Sequence, residues 1–292
     1  MMAARVEAAD LEERAAARRR TWLRFRRARL LWLGTALLVF AVLAAFLGPV
    51  LFNLHPYRMD VAHILQPPSA LYPMGTDEYG RSVLARVLFG TRLSLFVGVA
   101  VALITLGLGT TLGLVAAYFP SGDSAVMRVM DALMAFPSIL LALALMSVIG
   151  PGTLNSVVVL AVVYLPATTR VVRATSKVAL RLGYVEAAQA LGASRLRVLV
   201  RHVLPGIMGP LLVQQTFILA YAILGEATLS FVGAGTPPPT PSLGNILSEA
   251  KSVIYEAGWL ALYPGLAIAW LVLGVNLLGD GLRDALSVGS RS

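Results

Sequence analysis

Residues 184–205 read YVEAAQALGASRLRVLVRHVLP, and they lie between two apolar runs, 156–172 and 206–232, each long enough to cross a bilayer. A short polar turn would suffice to join two such runs. Instead the connection carries Glu186, Arg195, Arg197 and Arg201, with Arg181 just upstream. Val185, Ala188 and Leu191 recur at a three-residue step. After Gly192, the set Leu196, Leu199, Val200 and Val203 repeats at helical spacing. The pattern predicts two short helices with a break at Gly192, Ser194 capping the second and Pro205 ending it before the next run. Two uses fit such an object. One is an amphipathic helix lying on the bilayer with its arginines at lipid phosphates. The other is a docking element whose Ala and Gly positions let a partner approach the backbone while basic residues at the rim steer it.

Outward from this stretch, the whole chain reads as membrane-embedded. Of its 292 residues 58% are hydrophobic and 13% charged, against about 25% charged in a typical soluble domain. Apolar runs at 30–52, 93–119, 126–149, 156–172, 206–232 and 259–278 predict an all-α, six-span protein, because helices satisfy their own backbone polar groups in hydrocarbon. A basic segment, 1–29, precedes the first span and a short tail, 287–292, follows the core; an external segment, 53–92, carries Pro56, Pro67, Pro68 and Pro73, and the permeating core is expected at 93–286. With six spans both termini share a side. Nineteen of the 24 Lys and Arg residues fall on that side, in the N-terminal segment, near Arg128, within 170–205 and in the C-terminal residues. The positive-inside rule therefore makes both termini and the 184–205 stretch cytoplasmic.

The same distribution excludes other partners and chemistries. The net charge of +9 sits in blocks beside apolar runs, which orients a membrane protein, meets anionic lipid and does not track nucleic acid. There are no cysteines, and His55, His63 and His202 show no metal-ligand spacing, so no metal or other cofactor is expected on the chain. Only Lys177 and Lys251 are present, and neither completes a Gly-Lys-Ser/Thr phosphate loop. No GxSxG, HExxH or paired intramembrane carboxylates point to catalysis. Gly109 and Gly113, with Gly107 nearby, read as a close helix-packing face, not a dinucleotide loop. Two acids stand out as candidate pathway or gating groups. Asp131 is three residues from Arg128, a spacing that allows an interfacial pair. Glu226 lies about 20 residues into its span, near the outer face, and there either lines a pathway or holds a structural hydrogen bond.

Glu186-Ala187-Ala188, Gly192 four residues later, and Leu204-Pro205 together resemble the EAA loop of permease subunits of bacterial ATP-binding cassette importers. His202 stands where that pattern usually has an aliphatic residue. Four further stretches, 72–95, 127–143, 225–251 and 259–286, resemble in order the C-type permeases of dipeptide, oligopeptide and nickel importers. The resemblance implies that Glu186, Ala187, Ala188, Gly192, Leu204 and Pro205 belong to a coupling helix that fits a cleft in a separate ATPase. It further implies a homologous permease partner, two ATPase subunits that hold ATP and Mg, and an extracytoplasmic solute-binding protein met by the proline-rich outer surface. The resemblance places the chain in the bacterial inner membrane, with peptides or a related small solute as cargo. Rival expectations are a proton-coupled carrier working through Asp131 and Glu226, nickel as the solute, and a scaffold that only anchors an ATPase.

Overall fold

The computed structural model describes residues 29–286, and the basic segment and tail expected at 1–28 and 287–292 lie outside them. Ten α-helices make up the described chain: α1 Arg29–Leu51, α2 Val83–Tyr118, α3 Pro120–Met134, α4 Ser138–Ile149, α5 Thr153–Ala179, α6 Gly183–Ala190, α7 Arg195–Val198, α8 Leu204–Phe231, α9 Leu243–Glu249 and α10 Trp259–Leu286. Five of them, α1, α2, α5, α8 (with α7) and α10, are long and apolar enough to cross a bilayer, and α3 with α4 makes the sixth crossing. α2, α5 and α8 form the centre, while α1 lies on α10. One end of the bundle carries the segments 52–82 and 232–258, which hold half of the chain's 16 prolines. That is the proline-rich end. The opposite, basic end carries 180–203.

Three expectations about helix boundaries change. The external segment was expected to run to residue 92, yet α2 begins at Val83 behind an N-cap at Ser82, whose hydroxyl accepts from the Ala85 N–H. Charge misled the reading, because Arg86 is buried and its guanidinium neutralised. The third span was expected as one rod over 126–149. It is a pair bent by 92° at Ala135-Phe136-Pro137, since Pro137 cannot continue a helix and constrains the residue before it. Finally, residues 120–125, outside the expected runs 93–119 and 126–149, are helical and open α3 with Pro120 in its first turn, a position where the missing N–H costs nothing.

Prolines also explain a polar tie between α1 and α2. Pro49 has no N–H, so the Ala45 carbonyl four residues earlier lacks its helical donor. Arg92 supplies one: Nε donates to the Ala45 carbonyl at 2.6 Å and Nη2 to that of Phe46 at 3.3 Å. Its guanidinium also lies 4.3 Å from the Phe89 ring centroid and 5.0 Å from that of Phe46. Arg92→Ala should therefore loosen α1 from α2 by about 1–3 kcal/mol, the range for a hydrogen bond from a charged donor. Arg92→Lys recovers only part, because an ammonium is a point donor without the planar fork. A thermal unfolding midpoint in detergent that does not move for Arg92→Ala would contradict this assignment.

The expected packing role of Gly109 and Gly113 has a geometric basis. A Cβ on Gly109 would lie 2.8 Å from Thr168, and one on Gly113 2.6 Å from Val172. α2 and α5 thus meet at backbone distance, which in a lipid environment is a main source of helix association.

Candidate functional site

The basic end is built around residues 183–205. α6 closes in a complete Schellman motif, with Gly192 N–H donating to the Gln189 carbonyl at 2.9 Å and Ala193 N–H to that of Ala188 at 3.0 Å. Gly192 occupies φ +82°, a conformation L side chains rarely adopt, and the space its Cβ would take is open. The break after α6 is therefore enforced by backbone geometry, while nothing among the described residues covers it. Glu186 sits in the first turn of α6, where a negative charge complements the helix dipole. It and Ala187 are exposed, and Ala188 is half-buried. Leu191, expected on the inward face with Val185, is 89% exposed, because it follows the last helical residue and the Gly192 turn swings it out.

The second short helix departs further from expectation. Ser194 makes no side-chain capping bond. Pro205 does not end the helix: α7 passes through a π turn, Leu199–Val203, straight into α8, giving 37 continuous residues from Arg195 to Phe231. The π turn is the physical answer to Pro205, because the wider turn lets the Leu204 N–H reach the Leu199 carbonyl just before the residue that has no N–H. It also changes which residues face inward. Val198, Leu199 and Val203 are buried with Val172, Val185 and Ile207, while Leu196 and Val200, expected on the apolar line, point out. Leu204 is half-buried and Pro205 exposed, at the root of the rod and away from the Gly192 turn. The Tyr184 hydroxyl donates to the His202 carbonyl at 3.4 Å, across the two halves of the stretch.

Charge at this end falls into two groups. Asp123 on α3 accepts from Arg173 Nη2 at 2.8 Å and from Lys177 Nζ at 2.5 Å, both on α5. Asp131 is paired with Arg170 at 2.6 Å and not with Arg128, which bonds Ser124 instead. The sequence-local pairing fails because α3 lies along α5, whose arginines are nearer than a neighbour one turn away. Arg181, Arg195, Arg197 and Arg201 are exposed and pair with no carboxylate among the described residues. A partner thus meets an acid, a small-residue surface, an exposed leucine and a cationic rim.

Glu226 lies toward the proline-rich end and is wholly buried. Ser230 Oγ donates to Oε1 at 2.8 Å and Ser94 Oγ to Oε2 at 3.2 Å, tying α8 to α2. The Thr236 N–H donates to Ser230 Oγ at 3.1 Å, extending the tie to the proline-rich segment. Asp131 and Glu226 share no hydrogen-bond partner, and no run of hydrogen bonds joins them among the described residues.

One charged cluster escaped the sequence reading. Asp77 accepts from Arg81 Nε at 2.6 Å and Arg86 Nη1 at 2.7 Å, while Glu249 accepts from Arg86 Nη2 at 2.8 Å and Arg81 Nη2 at 3.2 Å. The only local signal was the four-residue spacing of Asp77 and Arg81; Glu249 lies 163 positions from Arg86. Two guanidinium groups and two carboxylates thus fasten α9 to the start of α2.

Residues 109–291 match the family described as binding-protein-dependent transport system inner membrane component. The chain belongs to this family. Residues 17–68 also match the N-terminal TM domain of oligopeptide transport permease C. This permease is 45% identical to a peptide transport system permease protein of Brucella suis, over 90% of this chain and 89% of that one. It is 37% identical to the dipeptide transport system permease protein DppC of Haemophilus influenzae, over 91% and 92%. Among solved structures it resembles the MetNI methionine ABC transporter in inward-facing conformations, with TM-score 0.58, 19% identity, and 68% of this chain covering 96% of that one. At that identity the likeness speaks for the fold alone.

Proposed function

We propose that this permease is one half of the translocation pathway of an ATP-driven importer of dipeptides and short oligopeptides, in the bacterial inner membrane with its basic end in the cytoplasm. The observation that carries the reading is 45% identity, over nine-tenths of the chain, to a protein named for peptide transport. The uncovered Glu186–Gly192 surface at the root of the α8 rod supports its mechanical part. Two ATPase subunits hold ATP and Mg and grip this stretch, a homologous permease supplies the other half of the route, and a solute-binding protein delivers cargo at the proline-rich end. Closure of the ATPases moves the docking stretch as a rigid body, and the bundle alternates between inward and outward openings. No residue of this chain makes or breaks a bond. The proton-carrier reading loses its physical basis because Asp131 and Glu226 are unconnected and Asp131 is neutralised by Arg170.

The test is uptake by proteoliposomes holding the complete complex. Labelled dipeptide should accumulate only with ATP inside and binding protein outside, and excess nickel should not compete. Uptake by this chain alone, driven by a pH gradient and indifferent to ATP, would establish the carrier instead. ATPase binding without any solute flux would leave only a scaffold.

A further inference from the structure

α8 packs in the centre of the bundle, yet one line along it is uncovered. Leu211, Gln215, Ile218 and Ala222 are buried along one face. On the adjacent face, past the buried Ile207 that begins the same line, Gln214, Tyr221 and Thr228 recur every seven residues, two helical turns apart, and all three are open to some degree, Tyr221 by 54%. Adjacent glutamines make the contrast plain. Gln215 is locked in the bundle, its Oε1 accepting from Thr105 Oγ1 and its Nε2 donating to Thr168 Oγ1, both at 3.2 Å. Gln214 has no such partner among the described residues and faces a groove of about 370 Å³.

Such a stripe is ill-suited to lipid, where an unpaired carboxamide has nothing to bond. The exposed side of α1 shows what a lipid face looks like in this chain: Val39, Phe40, Leu43, Phe46, Leu47 and Val50, without a polar side chain between them. The stripe is also backed by a second hydroxyl. Tyr164 on α5 donates to the Tyr221 carbonyl at 3.1 Å, with the two rings 6.1 Å apart, so paired tyrosines stand midway along it. Among the described residues, the groove beside Gln214 at the basic end has Arg283 as its one charged lining residue and no carboxylate or imidazole.

We propose that the stripe marked by Gln214, Tyr221 and Thr228 lines the aqueous route through the bilayer and offers hydrogen-bonding groups to a passing peptide. The assignment rests on the reading of this chain as half of a translocation pathway and adds which face of which helix meets the cargo. Amide, phenol and hydroxyl groups suit the repeating donors and acceptors of a peptide backbone, and Arg283 suits its terminal carboxylate. A bare divalent cation finds no anionic or imidazole ligand there to replace its water.

The chain has no cysteine, so Gln214→Cys, Tyr221→Cys and Thr228→Cys each introduce its only thiol. In vesicles holding the complete complex, a charged, water-soluble thiol reagent should modify all three at least tenfold faster than Phe40→Cys on the lipid face. Trapping the ATPases with ATP should change those rates at least threefold, and saturating dipeptide should slow them. Modification only by a bilayer-soluble maleimide, as at Phe40→Cys, would overturn the proposal in favour of a lipid face. Protection in every state, with cross-linking to the partner permease, would overturn it in favour of a subunit interface. ATP-driven uptake by the cysteine-free parent is measured in the same vesicles. If the parent transports while the three thiols fail, the stripe alone is wrong; a parent that does not transport removes the pathway reading and this one with it.

Discussion

Replacing Gly192 with valine should abolish most peptide uptake by the assembled importer, by tenfold or more, and reduce the amount of ATPase that co-purifies with the permease. Two effects act together. At φ +82° a β-branched residue pays about 1–3 kcal/mol of backbone strain, which the Schellman motif must absorb or release. The new side chain would also stand in open space on the surface proposed to receive the ATPase. Gly192→Asn separates the two, since asparagine tolerates the left-handed region several-fold better than other side chains. It should keep α6 intact and lose uptake mainly through the bulk it adds. Glu186→Lys, by contrast, leaves the turn alone and reverses the one negative charge inside a cationic rim. Both Gly192→Val and Glu186→Lys failing to alter uptake or ATPase capture would show that this surface does not carry the coupling.

The second large effect is expected far from that surface. Arg86→Met should destabilise the proline-rich end by about 3–5 kcal/mol, because it leaves the buried Asp77, which is 1% exposed, sharing a single arginine with the partly exposed Glu249. The loss should be local at first. The cluster is one of the ties that hold the 52–82 segment and α9 to α2, so protease added on that side should nick 52–82 well before the central helices unfold. Pairing Arg86→Met with Glu249→Gln removes the orphaned charge along with its partner and should recover a measurable part of the loss. A double variant no better than the single would mean that packing around α9, not charge, holds this end.

Sequence reading found the class, the number of crossings and the family from features that are local: apolar run length, clustered arginines and the Glu186 to Pro205 pattern. It failed where a distant residue changes the meaning of a local one. Arg86 reads as a polar loop residue until Asp77 and Glu249 surround it, so α2 was started ten residues late. Asp131 reads as a partner for Arg128 until α5 brings Arg170 alongside. Pro205 reads as a stop until the π turn carries the helix past it. The Gly192 break and the exposed Glu186 were legible because they belong to one short stretch. The Gln214, Tyr221 and Thr228 line was not, because the sequence between them is as apolar as any span and only burial tells its two faces apart.

That π turn also acts as a phase setter. Each residue of an α-helix advances the chain by about 100° and 1.5 Å, and a π turn holds about one residue more than the α turns on either side. It therefore fixes the angle at which α6 and its Gly192 corner leave the axis of α8. Shortening this one turn by a residue would leave Glu186 and the Gly192 corner unchanged in sequence, yet aim that face roughly a quarter-turn away from where the bundle now presents it. The angle between the Gly192 corner and the bundle is thus written in Leu199–Val203, through backbone hydrogen bonding and not through the side chains exposed at that end.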